Sequence, residues 1–170
     1  MRRVICSLAL VGIFVTVLAA PANAVKPDRF QPGPNPDLVI EDVCPFPVLL
    51  HDVVNTIVIQ DFFDQDGNLV KSIGTGRILE EVSRLDAQGN PVETVTRNIS
   101  GPGVEEFDES GSTLTGTGPW LLFGFPGEFA GFPNGFIWFT TGQFVLRFDG
   151  TGEIMMVKEP RHEDVCELLG

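Results

Sequence analysis

Few residues in this sequence have the type and spacing needed for chemistry. His51 and His162 are the only histidines, and tyrosine is absent. A hydrolytic triad needs a histidine that is oriented by a carboxylate and lies beside a nucleophile, but no G-x-S-x-G or similar motif occurs. We therefore predict no catalytic residue and no cofactor, and we interpret both histidines as structural or surface residues.

Paired carboxylates are the second candidate for chemistry. Glu80-Glu81 and Glu105-Glu106 lie in strand-like sequence, where neighbouring side chains point to opposite faces, so one glutamate of each pair would point inward. An inward carboxylate has a raised pKa and can act as an acid or a base. The commoner outcome is neutralisation by an arginine, for which the candidates are Arg77, Arg84 and Arg97.

The segment from Asp64 to Asn68 resembles the start of a calcium-binding loop. An EF-hand has glycine at the sixth position and glutamate at the twelfth, where this chain has Leu69 and Thr75. We interpret the segment as a hairpin turn and predict no metal site. A weak cation site among several acidic turns stays open as an alternative.

Aromatic residues are the candidates for ligand binding. We predict that a small apolar ligand contacts four of them, although they could instead fill the core: Trp120, Phe136, Trp138 and Phe144. The long loop between Gly124 and Phe136 is rich in phenylalanine, proline and glycine. It would serve as a lid or partner contact, or fold back to plug the end of the sheet.

The N-terminus has the pattern of a signal peptide. Arg2 and Arg3 precede an apolar stretch, and Ala22-Asn23-Ala24 provides a cleavage site. We predict a signal peptide over residues 1–24, a proline-rich arm over 25–43 and a single domain over 44–170. The mature protein is expected to be secreted and extracellular, with no membrane segment after the signal peptide is removed.

Composition limits the partners. The whole chain has a net charge of −12, and without Arg2 and Arg3 nine basic residues face 23 acidic ones, a net charge of −14. An acidic surface repels phosphate backbones, so we predict that nucleic acid is not a partner. The oligomeric state is left open by the sequence.

Two cysteines remain in the expected mature chain. Cys6 leaves with the signal peptide, so Cys44 and Cys166 would form one disulfide in an exported protein. It would close a loop of about 120 residues and stabilise the fold by about 4–5 kcal/mol.

The rest of the chain is strand-like, with regular turn signals. Asp64, Asp86 and Asp108 each begin a D-x-x-G turn and are 22 residues apart, and Asp149 begins another. We interpret each 22-residue interval as two short strands and two turns, with glycine-rich sequences such as 74–76 as the second turn. All D-x-x-G turns would then lie at one end of the sheet.

This spacing predicts an all-β, antiparallel up-and-down meander of about eight to ten strands. Ten strands are placed, the first at 53–63, the ninth at 143–149 and the last at 153–158. We expect the meander to close into a lipocalin-like barrel, because closure removes exposed edges. A β-sandwich is the alternative. The tail from His162 to Leu169 has a helical pattern, so a short helix is expected to be held by Cys44.

Four sequence motifs resemble small exported proteins of actinobacteria whose function is unknown. They are Cys44-Pro-Phe-Pro-Val48, Asn98-Ile-Ser-Gly-Pro-Gly103, Gly116-Thr-Gly-Pro-Trp-Leu-Leu-Phe123 and Asp164-Val-Cys-Glu-Leu168. The resemblance implies a bacterial source, export and the terminal cysteine pair. It transfers no activity and no catalytic residue.

Three functions are compatible with these features. The first is a non-enzymatic secreted protein that binds a small apolar ligand or a protein partner. The second is a small barrel enzyme of the isomerase or cyclase type, similar in architecture to allene oxide cyclases, that uses an apolar cavity. The third is a structural protein of the cell surface.

Overall fold

The computed structural model describes residues 26–170, so the expected signal peptide and Cys6 lie outside the described residues. Within this range the chain is all-β, with strands paired antiparallel and one short C-terminal helix. The strands are β1 Asp28–Phe30, β2 Leu38–Ile40, β3 Val48–Asn55, β4 Val58–Phe63, β5 Leu69–Thr75, β6 Ile78–Leu85, β7 Pro91–Asn98, β8 Gly103–Asp108, β9 Gly111–Thr117, β10 Trp120–Gly124, β11 Phe136–Thr141, β12 Gln143–Asp149, β13 Ile154–Lys158 and β14 Arg161–Asp164, and the helix is α1 Val165–Leu169.

The strands form three sheets. A seven-stranded sheet has the order β1-β4-β5-β8-β9-β12-β13, a four-stranded sheet the order β2-β3-β6-β7, and a three-stranded sheet the order β10-β11-β14. The expected antiparallel all-β class is therefore confirmed. The closed barrel stays a prediction, because β1 and β13 are the two edges of the seven-stranded sheet.

Successive strands run on from one another as long bent segments, for example β3 into β4 and β5 into β6. Val58 faces Thr75 in the seven-stranded sheet and Asn55 faces Ile78 in the four-stranded sheet, so one antiparallel register crosses the bend. The same holds where β11 continues into β12 and β9 into β10. The described chain is thus a meander of long segments, each of which contributes to two sheets.

The expectation that all D-x-x-G turns share one end is wrong. The Asp64 turn joins β4 to β5, and the Asp86 turn joins β6 to β7 at the opposite end of the β5–β6 segment. The Asp108 and Asp149 turns lie at the same end as the Asp64 turn. Each 22-residue interval contains one long segment and one turn, rather than two short strands and two turns.

The glycine-rich sequences bend the segments instead of reversing them. Gly76, between β5 and β6, has a φ of +151°. A Cβ atom there would lie 2.5 Å from the carbonyl oxygen of Thr56. Only glycine allows so close a backbone approach. The chain therefore continues from one sheet into the next at this point.

The central strand of the three-stranded sheet, β11, is buried on both faces. Ile137 and Phe139 of β11 pack against the four-stranded sheet and α1, in a cluster that includes Val48 and Val82. Phe136 and Trp138 lie on the opposite face, as their alternate positions require. The continuous apolar sequence of β11 reflects this two-sided burial.

Both ends of the described chain add strands that were not expected. In the proline-rich arm, β1 pairs with β4 and β2 with β3, each at the edge of a sheet, where proline-rich sequence is tolerated. At the other terminus Arg161–Asp164 pairs with β11, so only Val165–Leu169 is helical. Asp164 caps this helix by accepting a hydrogen bond from the Cys166 backbone N–H.

The predicted disulfide is confirmed. Cys44 and Cys166 are bonded, with their Cα atoms 5.3 Å apart, and they join the β2–β3 connection to α1. Val165 and Leu169 of this helix are buried in the core between the sheets. No helix among residues 26–170 is long and apolar enough to cross a membrane.

Candidate functional site

The site lies where two neighbouring segments separate. β8 and β9 pair as far as Gly103 opposite Gly116, and then β7 enters the four-stranded sheet while β10 enters the three-stranded sheet. A groove of about 260 Å³ opens between the edges of β7 and β10, and we call it the edge groove. Its lining residues are Arg97, Asn98, Ile99, Pro119, Trp120, Phe139, Thr140, Thr141, Arg161, His162 and Glu163.

Trp120 is held rigidly in this groove. Its indole N–H donates to the carbonyl oxygen of Thr117 at 3.3 Å, and its ring lies against Gly101 and Gly103. A Cβ atom at Gly103 would lie 2.8 Å from the ring, so the two glycines make room for it. The ring is partly exposed and packs with Phe144 on the face of the three-stranded sheet opposite to Phe139.

Arg97 forms one wall of the groove. Its guanidinium carbon lies 5.6 Å from the centre of the Phe139 ring, which is a cation–π distance. One guanidinium nitrogen lies 3.7 Å from a carboxylate oxygen of Glu163 on β14. Both side chains are about half exposed, so this ion pair is weak and can open at small cost.

β14 forms the facing wall. His162 stacks on Trp138 with ring centres 3.9 Å apart, and its Nδ1 lies 3.5 Å from a carboxylate oxygen of Glu159. Arg161 is exposed and makes no ion pair with any residue that the structure describes.

The charge of the groove differs in sign from that of the protein. Two arginines and one carboxylate, Glu163, line it, whereas the whole chain has a net charge of −12. The groove therefore combines local positive charge with the apolar surface of Ile99 and Pro119. This combination can bind an anionic group that is attached to an apolar one.

A buried acid pair lies on the inner face of the four-stranded sheet. Glu80 is only 5% exposed and faces Asp52 across the β3–β6 ladder. Burial, followed by the hydrogen bond to Asp52 and its negative charge, raises the pKa of Glu80 to about 8. Burial acts to raise the pKa of Asp52 as well, but hydrogen bonds from Glu80, Asn55 and Asn35 outweigh it and lower that pKa.

The acid pair therefore holds one proton near neutral pH, on Glu80. The structure places Glu80 inward, as expected for one member of Glu80-Glu81, but its partner is a carboxylate and not an arginine. Arg97, its cross-strand neighbour, is paired with Glu163 instead. Neither Glu80 nor Asp52 lines the edge groove.

The second glutamate pair, Glu105-Glu106, lies on β8 in the seven-stranded sheet, where each carboxylate contacts a polar side chain. Glu105 accepts a hydrogen bond from the Ser112 hydroxyl at 2.6 Å, and Glu106 lies 3.4 Å from the Lys71 ammonium group. Each carboxylate thus has a single polar partner on a neighbouring strand.

Three of the four predicted ligand-binding aromatics are buried in one cluster. Phe136 and Trp138 stack with ring centres 4.2 Å apart, and Phe144 is fully buried. Phe129 and Phe132 of the long loop pack on Phe136, so the loop folds back onto this core. Ligand binding by these residues stays a prediction.

The fourth, Trp120, meets Phe144 edge-on at 5.2 Å and also lines the edge groove. The charged residues of the groove were not predicted to be site residues, because they come from strands that are far apart in sequence. Arg97 had one usable signal: it occupies an inward position between Val95 and Ile99, where an apolar residue is expected.

The acidic turns bind their own backbone. The Asp64 carboxylate accepts hydrogen bonds from the backbone N–H groups of Asp66 and Asn68, as expected of a hairpin turn. Between Lys26 and Gly170, no group of three or more histidine, cysteine, aspartate or glutamate side chains is placed to hold a metal ion.

The architecture and the site together define an all-β protein of antiparallel sheets with an open groove between two sheet edges. Comparisons with models of protein families, with curated proteins and with solved structures gave no match.

Proposed function

We propose that this chain is a secreted, non-enzymatic binding protein whose ligand occupies the edge groove. The observation that carries the proposal is the convergence of Arg97 and Arg161 on one groove from strands that are distant in sequence. Small-molecule sites are concave, with apolar surface and a few converging polar groups, and the edge groove has this composition. Secretion is supported by the N-terminal pattern and by the disulfide.

A filled-groove variant tests this proposal. Thr141 is exposed and lines the groove, so Thr141→Trp places a large ring there without disturbing the core. Thr75→Trp is the matched control, because Thr75 is also an exposed threonine at the end of a strand. A library of small fragments is screened by native mass spectrometry against the full-length protein recovered from an exporting host.

We expect fragments that bind the wild type and Thr75→Trp equally and that fail to bind Thr141→Trp. Binding that Thr141→Trp leaves unchanged would place the ligand elsewhere, and the absence of any binder would remove the proposal. Retention of an apolar molecule from a lipid extract would instead support an enclosed apolar site, as in the expected barrel, around Phe136, Trp138 and Phe144.

The enzyme alternative has one supporting observation, which is the acid pair of Asp52 and Glu80. A carboxyl group with a pKa raised to about 8 can donate a proton near neutral pH. The pair is separate from the edge groove, so an isomerase or cyclase would need a substrate space beside Glu80. A substrate analogue whose binding shifts the titration of Glu80, followed by NMR, would support this alternative.

A further inference from the structure

The edge groove also indicates the chemical class of its ligand. We propose that it binds a small organic anion, with a carboxylate held by Arg97 and Arg161 and an apolar part against Ile99 and Pro119. This inference rests on the proposed function and makes it more specific. The protein carries 23 acidic and 11 basic residues, so two arginines beside a single carboxylate mark an exceptional site on its surface.

The ion pair between Arg97 and Glu163 can be replaced by an ion pair between Arg97 and a ligand. In the structure described here, Glu163 takes the position of an acidic partner 3.7 Å from the Arg97 guanidinium group. A ligand carboxylate would compete with Glu163 for Arg97. Because the pair is half exposed and its distance is long, the ligand displaces it at little cost.

The apolar part of the ligand is inferred from the lining of the groove. Ile99 and Pro119 line it beside Arg97, whose guanidinium group covers the buried Phe139 ring. A carboxylate can reach the two arginines while an apolar part lies against Ile99 and Pro119. The volume of about 260 Å³ suits a ligand of one or two rings.

A matched set of three probes tests the charge of the ligand. The probes are 2-naphthoate, 2-naphthalenemethanol and 2-naphthylmethylammonium, which share a ring system and differ in charge. Each is titrated into the full-chain protein, and binding is followed through the backbone amide signals of Arg97 and Arg161 in ¹H–¹⁵N NMR spectra. We expect 2-naphthoate to bind most tightly, by about tenfold over the neutral alcohol.

Substitutions in the groove should change the affinity for 2-naphthoate in opposite directions. Arg97→Gln and Arg161→Gln should each weaken binding of 2-naphthoate by about tenfold, whereas Glu163→Gln should strengthen it about threefold because the competing carboxylate is gone. Lys158→Gln is the control, since Lys158 is a cation outside the groove whose partner is Gln143. It should leave the affinity unchanged.

The outcomes separate this inference from the proposed function. Equal binding of the acid and the alcohol, lost in Thr141→Trp, would keep the groove as a ligand site and refute the anion. Preference for the ammonium probe, weakened by Glu163→Gln, would also refute the anion. If none of the three probes binds at millimolar concentration, the anion inference fails, whereas the proposed function fails only if the fragment screen also finds no binder.

Discussion

Glu80 shows how burial changes the chemistry of one residue. Its pKa of about 8 lies above the ordinary value of 4.5, because burial and the neighbouring Asp52 disfavour its charge. The folded protein therefore binds one proton more than the unfolded chain between these two pH values. Stability should fall as the pH rises through this window, by about 1.4 kcal/mol for each pH unit, and become level above it.

Glu80→Gln should remove this loss, because glutamine carries no charge and can still donate a hydrogen bond to Asp52. The measurement is urea denaturation of wild type and variant at pH 5, 7 and 8.5. Glu81→Gln is the control, since Glu81 points to the opposite face of the same strand. An equal pH dependence in wild type and Glu80→Gln would contradict the raised pKa.

Gly116 is a second residue whose role follows from packing. A Cβ atom there would overlap the Phe144 ring, which is fully buried. Gly116→Ala should destabilise the fold by about 1–3 kcal/mol through overpacking. Gly74→Ala is the control, because Gly74 also lies in a strand without positive φ and a Cβ atom there would meet only Ile57, at 3.5 Å. The paired variant Gly116→Ala/Phe144→Leu should recover stability if overlap with the ring is the cause.

At the level of elements, the disulfide fixes α1 on the core. Replacing both Cys44 and Cys166 by serine should lower the free energy of unfolding by about 2–5 kcal/mol, since the bond closes a loop of 122 residues. Chemical denaturation measures the change. Wild-type protein denatured in the presence of a thiol reductant should have the same denaturation midpoint as the double variant. Equal midpoints for the oxidised wild type and the double variant would show that the bond is absent.

Much of each element could be predicted locally. The strand expected at 143–149 is observed at Gln143–Asp149, and the D-x-x-G sequences are turns, because aspartate and glycine determine backbone geometry within a few residues. The short strand Arg161–Asp164 was missed. Its pairing with β11 is a long-range contact, and it replaces the first turn of a predicted helix.

The end of the sheet at which each turn lies could not be predicted from the local sequence. A 22-residue interval fits either one long segment or two short strands, and a glycine such as Gly76 permits both a reversal and a bend. The approach of Thr56 to Gly76, which favours the bend, is visible only in the folded chain. The edge groove was missed for the same reason, since Arg97, Trp120 and Arg161 meet only after β7 and β10 separate.

At the scale of the whole molecule, the alternation of the turns can be measured. Spin labels on cysteines introduced at Gln65, Gln88 and Glu109 mark three D-x-x-G turns. Gln65 and Gln88 lie at opposite ends of the β5–β6 segment, which spans up to about 55 Å when fully extended. Double electron–electron resonance should give a longer distance between the labels at positions 65 and 88 than between those at positions 65 and 109. Similar distances would contradict the long-segment topology.

The edge groove as a ligand site is the central claim for the molecule, and backbone NMR during titration with 2-naphthoate tests it most directly. Residues 97–99, Trp120 and residues 161–163 belong to three separate strands or connections that line the groove. We predict that their amide signals shift together with one common dissociation constant. Shifts confined to another surface, or no saturable shift in these three segments, would contradict the claim.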